Sequence, residues 1–300
     1  MNLLDKLQGC GDVEVNASLK KHTTFRIGGE CAYFVYPKNE MALLRVLELC
    51  EEYNMPYRVF GKGSNLLCSD DFFEGIILCL DRYFNDFNID CEGNTYVQAG
   101  VSLILLAQEA MKASMSGLEF ASGIPATVGG ALFMNAGAYK SCMADIVEKV
   151  YVVRNHRCEW LTREELDYSY RHSIFHDHRE WIILGASLKL KRGDQSEIRA
   201  LMDSRRERRL QSQPLDKPSA GSVFRNPEAA PAWKLIEEIG YRGKKIGGAM
   251  VSDKHANFIV NFDAAKAMDV MLLIQQIQNE VFNQYGITMK PEVEKFNWNE

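Results

Sequence analysis

Residues 123–139 read GIPATVGGALFMNAGAY, and how this stretch is read decides the fold. Its seventeen residues hold four glycines, four alanines and one proline, and no charged side chain. An ordinary surface loop is rich in Asp, Ser, Asn and Lys, so this run is something else. Gly123, Gly129 and Gly130 open positive φ and remove Cβ, which lets another group approach the backbone. Two readings fit: a close-packed turn of the core, or a wall pressed against a large, flat, partly polar ligand.

Some sixty residues upstream, GKGSNLL (61–67) follows directly on a strand-like PYRVFG (56–61). Two glycines and a Ser-Asn pair can turn several backbone N–H groups toward one point, a nest for a pyrophosphate. The spacing is neither that of a P-loop nor that of the Rossmann GxGxxG turn. A tight strand-exit turn accounts for it equally well. Paired with 123–139, it points to two loops gripping one extended cofactor.

The rest of the chain sets the frame. At 300 residues it is long enough to bury a real core, as one large domain or two to three smaller ones. With 46% hydrophobic and 25% charged residues it reads as an ordinary globular protein. A net charge of -5 argues against a nucleic-acid binder held by a broad basic face. No stretch is apolar for long enough to cross a bilayer, and MNLLDKLQGCGDVEVN lacks the apolar core of a signal peptide. The eight cysteines contain no CxxC pair and read as free buried thiols in a reducing cytoplasm. His176 and His178 have no third ligand at metal spacing, so no metal is expected.

Elements alternate along the first part. CAYFVYP (31–37) reads as a strand and Asn39 as the cap of a helix through EMALLRVLELCEEY. GIILCL (75–80), VEKVYVV (147–153) and WIILGASLKL (181–190) read as strands, and SLILLAQEAMK (102–112) as a helix capped by Ser102. Residues 194–213 read as a polar helix capped by Asp194 or Ser196 and stopped at Pro214, with RRERR as a solvated face before the rarer reading of a phosphate contact. PAWKLIEEIG reads as a helix, NFIVN as a strand, and Asp263 to Tyr285 as a helix ended by Gly286. This is an α+β pattern, with a boundary expected near residue 195.

Three further segments offer chemistry. YSYRHSIF (168–175) sets Arg171 among aromatic and aliphatic residues, as a structural ion-pair partner or as a fork of donors for a carboxylate or enolate. PSAGSVFRNP (218–227) sets Ser222 in a short loop that is not a GxSxG elbow. That hydroxyl either makes a turn hydrogen bond or donates a proton to a developing carbanion. MKPEVEKF carries Glu292, which alone decides nothing.

Together these segments resemble the UDP-N-acetylenolpyruvoylglucosamine reductase family, the flavoenzymes that complete UDP-N-acetylmuramate. The matching pieces are HTTFRIGG (22–29), GKGSNLL, SGIPATVGGALFMNAGAY, YRHSIF, PSAGSVFRNP, SDKHANFIVN (252–261) and KPEVEKF, in the family's order. Ala126 stands where glycine is commoner and Arg225 where lysine is. No long insertion with a substrate-covering tyrosine separates Phe175 from Ser222, so the chain resembles the type II branch.

The resemblance implies an FAD-binding domain of p-cresol methylhydroxylase type over residues 1–195, in two subdomains parted near residue 80. A smaller α+β substrate-binding domain follows over 196–300. It implies non-covalent FAD contacts at Gly61, Lys62, Gly63, Ser64, Asn65 and Leu66. A second set falls at Gly123, Ile124, Pro125, Thr127, Val128, Gly129 and Gly130, and a third at Asn135, Gly137 and Ala138. The catalytic positions are Arg171, Ser222 and Glu292. Arg171 and Ser222 also meet substrate, and Asn226 is a substrate candidate beside its reading as a turn-forming Asn-Pro. NADPH is the implied reductant and UDP-N-acetylglucosamine enolpyruvate the implied substrate, in the cytoplasm. Two rivals remain at this level: an FAD-dependent sugar or alcohol oxidase of the same fold, and a non-catalytic nucleotide-sugar-binding module.

Overall fold

The computed structural model describes residues 2–298; Met1, Asn299 and Glu300, at the ends of the two expected domains, lie outside the described residues. The chain forms two compact units. The first takes in residues up to Asn16, Ala32–Lys62 and Glu74–Glu207; the second takes in Ala17–Cys31, Gly63–Phe73 and the chain from Arg208 onward. These units do not follow a single cut near residue 195. Phe25, Ile27 and Leu67, all 0% exposed, bury in the core of the second unit, and burial of apolar surface outweighs chain order. At the other end the division falls inside a continuous helix, at residues 207–208.

The first unit opens with helix α1 (Leu3–Cys10). A four-stranded sheet follows, ordered Gly11–Ser18, Glu30–Pro37, Phe73–Cys79, Tyr57–Phe60. Helix α2 (Glu40–Glu52) begins as its sequence predicts, the Asn39 side chain accepting from the Ala42 N–H at 2.9 Å. The chain then moves to a five-stranded sheet ordered Arg157–Thr162, Val147–Arg154, Ile182–Lys189, Asn94–Gln98, Phe87–Ile89. Its Val147–Arg154 and Arg157–Thr162 strands form a hairpin whose two-residue turn, Asn155-His156, has both φ angles positive (50° and 58°). That is the geometry which matches strand twist. Helix α3 (Leu103–Lys112) buries Leu103, Leu106, Ala107 and Ala110; Ser102 stands at its cap position without a side-chain hydrogen bond.

The decisive run is not a loop. Val128–Phe133 is a short helix, α4, capped by Thr127 Oγ1, which accepts from the Gly130 N–H at 3.2 Å. None of the glycines at 123, 129, 130 and 137 has the positive φ anticipated for three of them. Two of these lie within α4, where the missing Cβ is what matters: a Cβ on Gly129 would stand 3.0 Å from Ala99 Cβ. Helix α5 (Gln195–Ser212) is capped by Asp194, whose Oδ1 accepts from the N–H groups of Ser196 and Glu197.

In the second unit, Ser219–Ser222, Phe258–Asn261, Ala249–Val251 and Lys245–Ile246 form a four-stranded sheet in that order. Helix α6 (Ala232–Glu238) and helix α7 (Ala267–Tyr285) supply Leu235, Ile236, Val270, Leu273 and Ile277 to the core. Helix α7 starts four residues later than its sequence predicts, because Ala264 takes a left-handed φ of 47°. Its end at Gly286, φ 67°, is as read. Leu66–Cys68 pairs in parallel with Glu294–Phe296.

All eight cysteines are free thiols, but only five are buried. Burial pushes the Cys50 and Cys79 thiols up to about 12, and raises those of Cys10 and Cys68 as well. The thiolate is the reactive form. We therefore expect a thiol reagent to label exposed Cys91 first and half-buried Cys142 and Cys158 more slowly in the native protein. Labelling of Cys50, Cys68 or Cys79 at a comparable rate, read by peptide mass mapping, would contradict this.

Candidate functional site

In the first unit the small-residue run forms a half-buried, uncharged wall. Between residues 123 and 139 only Pro125 is exposed; Thr127, Val128 and Asn135 are buried, while Gly123, Ile124, Gly129 and Gly130 are half-buried. Gly137-Ala138 pairs with Ser141-Cys142, and the intervening Tyr139 and Lys140 both have positive φ, a second tight hairpin without glycine at its tip. Tyr139 donates to the Arg205 carbonyl at 3.1 Å, and the Arg205 guanidinium lies 4.8 Å from its ring. One arginine of the RRERR run thus packs on the end of the wall, while Arg206 and Arg208 are exposed.

The structure brings the GKGSNLL turn to this wall at Gly61. A Cβ on Gly61 would lie 2.5 Å from Thr127 Oγ1, so a side chain there would push the Thr127 hydroxyl off the Gly130 N–H that it caps. Lys62 is exposed and paired with Asp81 at 2.8 Å.

Arg171 also comes to the wall. Its Nη2 donates to the Gly137 carbonyl at 2.8 Å, and its backbone φ of 57° is left-handed. A non-glycine residue held in that region marks a constrained position. Beside it, Ser173 is fully buried and donates from Oγ to the Phe133 carbonyl at 2.5 Å. Sequence reading did not single out Ser173; its place two residues past Arg171 was the available signal.

In the second unit, Ser222 and Glu292 lie on adjoining segments. The Glu292 N–H donates to the Val223 carbonyl at 2.7 Å, and Phe224 bridges Pro291. Gly221, φ 78°, sits at a register break just before Ser222 and turns that half-buried residue out of strict strand alternation. Asn257, buried and not anticipated, holds the other side: its Oδ1 accepts from Phe224 N and its Nδ2 donates to Phe224 O. His255 Nδ1 accepts from the Asn257 N–H at 3.2 Å; burial pushes its pKa down, with Arg242 adding to the effect, which keeps the ring neutral and able to accept.

Asn65 belongs to this same assembly. Its Nδ2 donates to the Glu292 carbonyl at 3.0 Å, and its own carbonyl accepts from Glu294 N at 2.8 Å. Gly63 is buried with φ 59°, followed by half-buried Ser64 and Leu66. Asn226 is exposed, and its Oδ1 accepts from Ala232 N at 3.0 Å at the start of α6. Among the described residues no group of three or more His, Cys, Asp and Glu could hold a metal ion, and no helix is long and apolar enough to cross a membrane.

Comparison with known proteins decides the affiliation. The FAD binding domain family matches residues 31–157, and the UDP-N-acetylenolpyruvoylglucosamine reductase C-terminal domain matches residues 213–296. The UDP-N-acetylenolpyruvoylglucosamine reductase of Anoxybacillus flavithermus is 43% identical over 285 residues, 95% of this chain and 94% of that protein. That of Caldanaerobacter subterraneus is 40% identical over 296 residues, 97% of each. This chain belongs to the UDP-N-acetylenolpyruvoylglucosamine reductase family.

The crystal structure of the reductase from Thermus caldophilus superposes with a TM-score of 0.82 at 36% identity, covering 95% of this chain and 98% of that one. Phl p 4, a grass pollen allergen with glucose dehydrogenase activity, shares only the fold, at 15% identity over 65% of this chain and a TM-score of 0.51. The chain is therefore an FAD-type oxidoreductase with the fold expected from its sequence. Both glycine-containing segments lie within the matched FAD binding domain, and Ser222 and Glu292 within the matched C-terminal domain; Arg171 lies between the two matches. The wall suits such a group: it is uncharged, and a Cβ on half-buried Gly130 would meet only its own capping Thr127, at 3.4 Å.

Proposed function

We propose that this member of the family reduces UDP-N-acetylglucosamine enolpyruvate to UDP-N-acetylmuramate with NADPH. The likeness to named reductases over nearly the whole of both chains carries this reading. FAD binding falls to residues 1–195, through Gly61–Leu66, Gly123–Gly130, Gly137 and Ala138, with the Asn135 amide turned instead to Ser169 and Ala144, and substrate binding chiefly to 196–300. FAD held by these residues would supply hydride-transfer chemistry at the β-carbon of the enolpyruvyl group, with NADPH as its reductant. The residues of the chain then manage charge and proton.

Hydride addition leaves negative charge on the α-carbon and its carboxylate, an enolate. Arg171, permanently charged and fixed to the Gly137 carbonyl, offsets that charge, and Glu292 adds a hydrogen-bonding partner. Ser222 gives its hydroxyl proton to the α-carbon. A serine hydroxyl is a very weak acid, so the transfer requires a strongly basic carbon held at short range; the register break at Gly221 and the Asn257 bonds to Phe224, which steady the segment around Ser222, support this reading. The free thiols support placing the protein in the reducing cytoplasm.

Anaerobic flavin absorbance tests the reading. NADPH is expected to bleach the bound flavin, and the enolpyruvyl substrate to restore its colour with UDP-N-acetylmuramate as product. A protein that stays colourless after incubation with FAD contradicts the proposal. So does flavin reduced by a sugar hydroxyl and reoxidised only by oxygen, the behaviour of an oxidase.

A further inference from the structure

The turn that carries Arg171 hangs from the end of α4 by two buried side chains. Ser169 and His172 exchange backbone hydrogen bonds at 3.2 Å in each direction, which leaves Tyr170 and Arg171 at the tip. Two residues before Arg171, the Ser169 carbonyl accepts from Asn135 Nδ2 at 2.8 Å. Two residues after it, Ser173 Oγ donates to the Phe133 carbonyl at 2.5 Å. Asn135 is 4% exposed and Ser173 is 0% exposed, so neither bond competes with bulk water. Asn135 Oδ1 in turn accepts from the Ala144 N–H at 3.0 Å, anchoring the amide on its other side.

A left-handed φ at an arginine persists only where its surroundings over-determine it. Here the surroundings include these two bonds and the Arg171–Gly137 hydrogen bond. All three tie the turn to residues 133–137, the last part of the wall. We propose that Asn135 is a positioning residue for Arg171: with Ser173 it clamps the turn at both ends and so fixes where the guanidinium sits. Its side chain thus serves the protein's own turn and not the cofactor. The proposal rests on the reading of Arg171 as the group that offsets enolate charge.

Asn135 also has a backbone duty. It follows α4 in the left-handed conformation, φ 43°, and Ala136 N closes back on Ala131 O at 2.8 Å, an ordinary helix end that glycine serves as well. The two duties separate by substitution. Asn135→Gly keeps the helix end and removes the clamp. Asn135→Asp keeps the acceptor for Ala144 but turns an oxygen toward the Ser169 carbonyl in place of the donor.

Both half-reactions of the holoenzyme are measured anaerobically for Asn135→Asp, Asn135→Gly, Ser173→Ala, Arg171→Ala and the Asn135→Asp/Arg171→Ala pair. The single clamp variants are expected to keep FAD and to be reduced by NADPH as the wild type is. Their reoxidation by the enolpyruvyl substrate slows by about 10-fold to 100-fold, the scale of a misplacement near 1 Å. In the Arg171→Ala background, Asn135→Asp adds less than about 2-fold, since a clamp has nothing left to place. Loss of FAD from Asn135→Asp and Asn135→Gly makes the residue a cofactor contact and overturns the proposal. Full multiplication of the two effects in the double variant overturns it too, even with Arg171→Ala severely slowed. Wild-type reoxidation of Arg171→Ala itself defeats the reading of Arg171, and the proposal with it. If Asn135→Asp fails to fold, Asn135→Gly and Ser173→Ala carry the same comparison.

Discussion

Replacing Ser222 with alanine is expected to leave bleaching of the flavin by NADPH intact and to slow its reoxidation by the enolpyruvyl substrate by about 10²–10⁴-fold, the usual weight of a placed proton donor. The reasoning is local. Ser222 is half-buried at a register break, and its neighbours are held by backbone bonds that do not involve its hydroxyl: Val223 N to Asn257 O at 2.8 Å, and Glu292 N to Val223 O at 2.7 Å. Removing one oxygen therefore leaves the segment standing, and stability should change by no more than about 0.5 kcal/mol. Rapid-mixing absorbance resolves the two half-reactions. Slow bleaching with normal reoxidation would reverse the assignment of Ser222.

The second large effect is expected at Gly63, where alanine meets two penalties. Its φ of 59° disfavours any L side chain, by about 1–2 kcal/mol. Its Cβ would also stand 2.2 Å from the His22 carbonyl oxygen and 2.8 Å from Thr23 Cα, both backbone atoms that cannot swing aside. Relief requires the 22–24 segment or the 63–65 turn to shift, a further cost of about 1–3 kcal/mol on the scale of overpacked sites. Gly63→Ala should therefore lose about 2–5 kcal/mol of stability and bind FAD more weakly. Gly286→Ala is the control: its φ of 67° is equally left-handed, but nothing lies within 4 Å of the added atom. Equal melting temperatures for the two variants, or unchanged FAD retention in Gly63→Ala, would refute the steric argument.

Local features were legible in the sequence because their causes are local. The Glu30–Pro37 strand, the Asn39 cap and the Gly286 stop each depend on a few adjacent side chains. The start of α7 was misplaced because exposed Ala264 turns left-handed against its own propensity, beside an Ala265 N–H that donates to the Asn261 side chain at 2.9 Å. The hairpins tipped by Asn155-His156 and Tyr139-Lys140 carry no glycine, so their turn signal is weak in sequence. In the candidate site, the segments holding Arg171, Ser222 and Glu292 could be found by their composition and order. Asn257 and Ser173 lie inside such segments but were not singled out within them, since a buried amide and a buried hydroxyl look in sequence like any other.

By itself the sequence determined the family, the α+β pattern and the segments that carry chemistry, because these are written in residue type and order. It also established that residues 123–139 are no ordinary loop. Only the tertiary structure decided that the centre of that run is a helix, that its glycines serve through an absent Cβ, and that its last residues hold the Arg171 turn. It likewise decided that Phe25, Ile27 and Leu67 fold with the second unit. The physical reason is the same throughout. Backbone preference acts between neighbours in sequence, whereas burial and hydrogen bonding act between neighbours in space, here as far apart as Asn135 and Ser169 or Asn65 and Glu292.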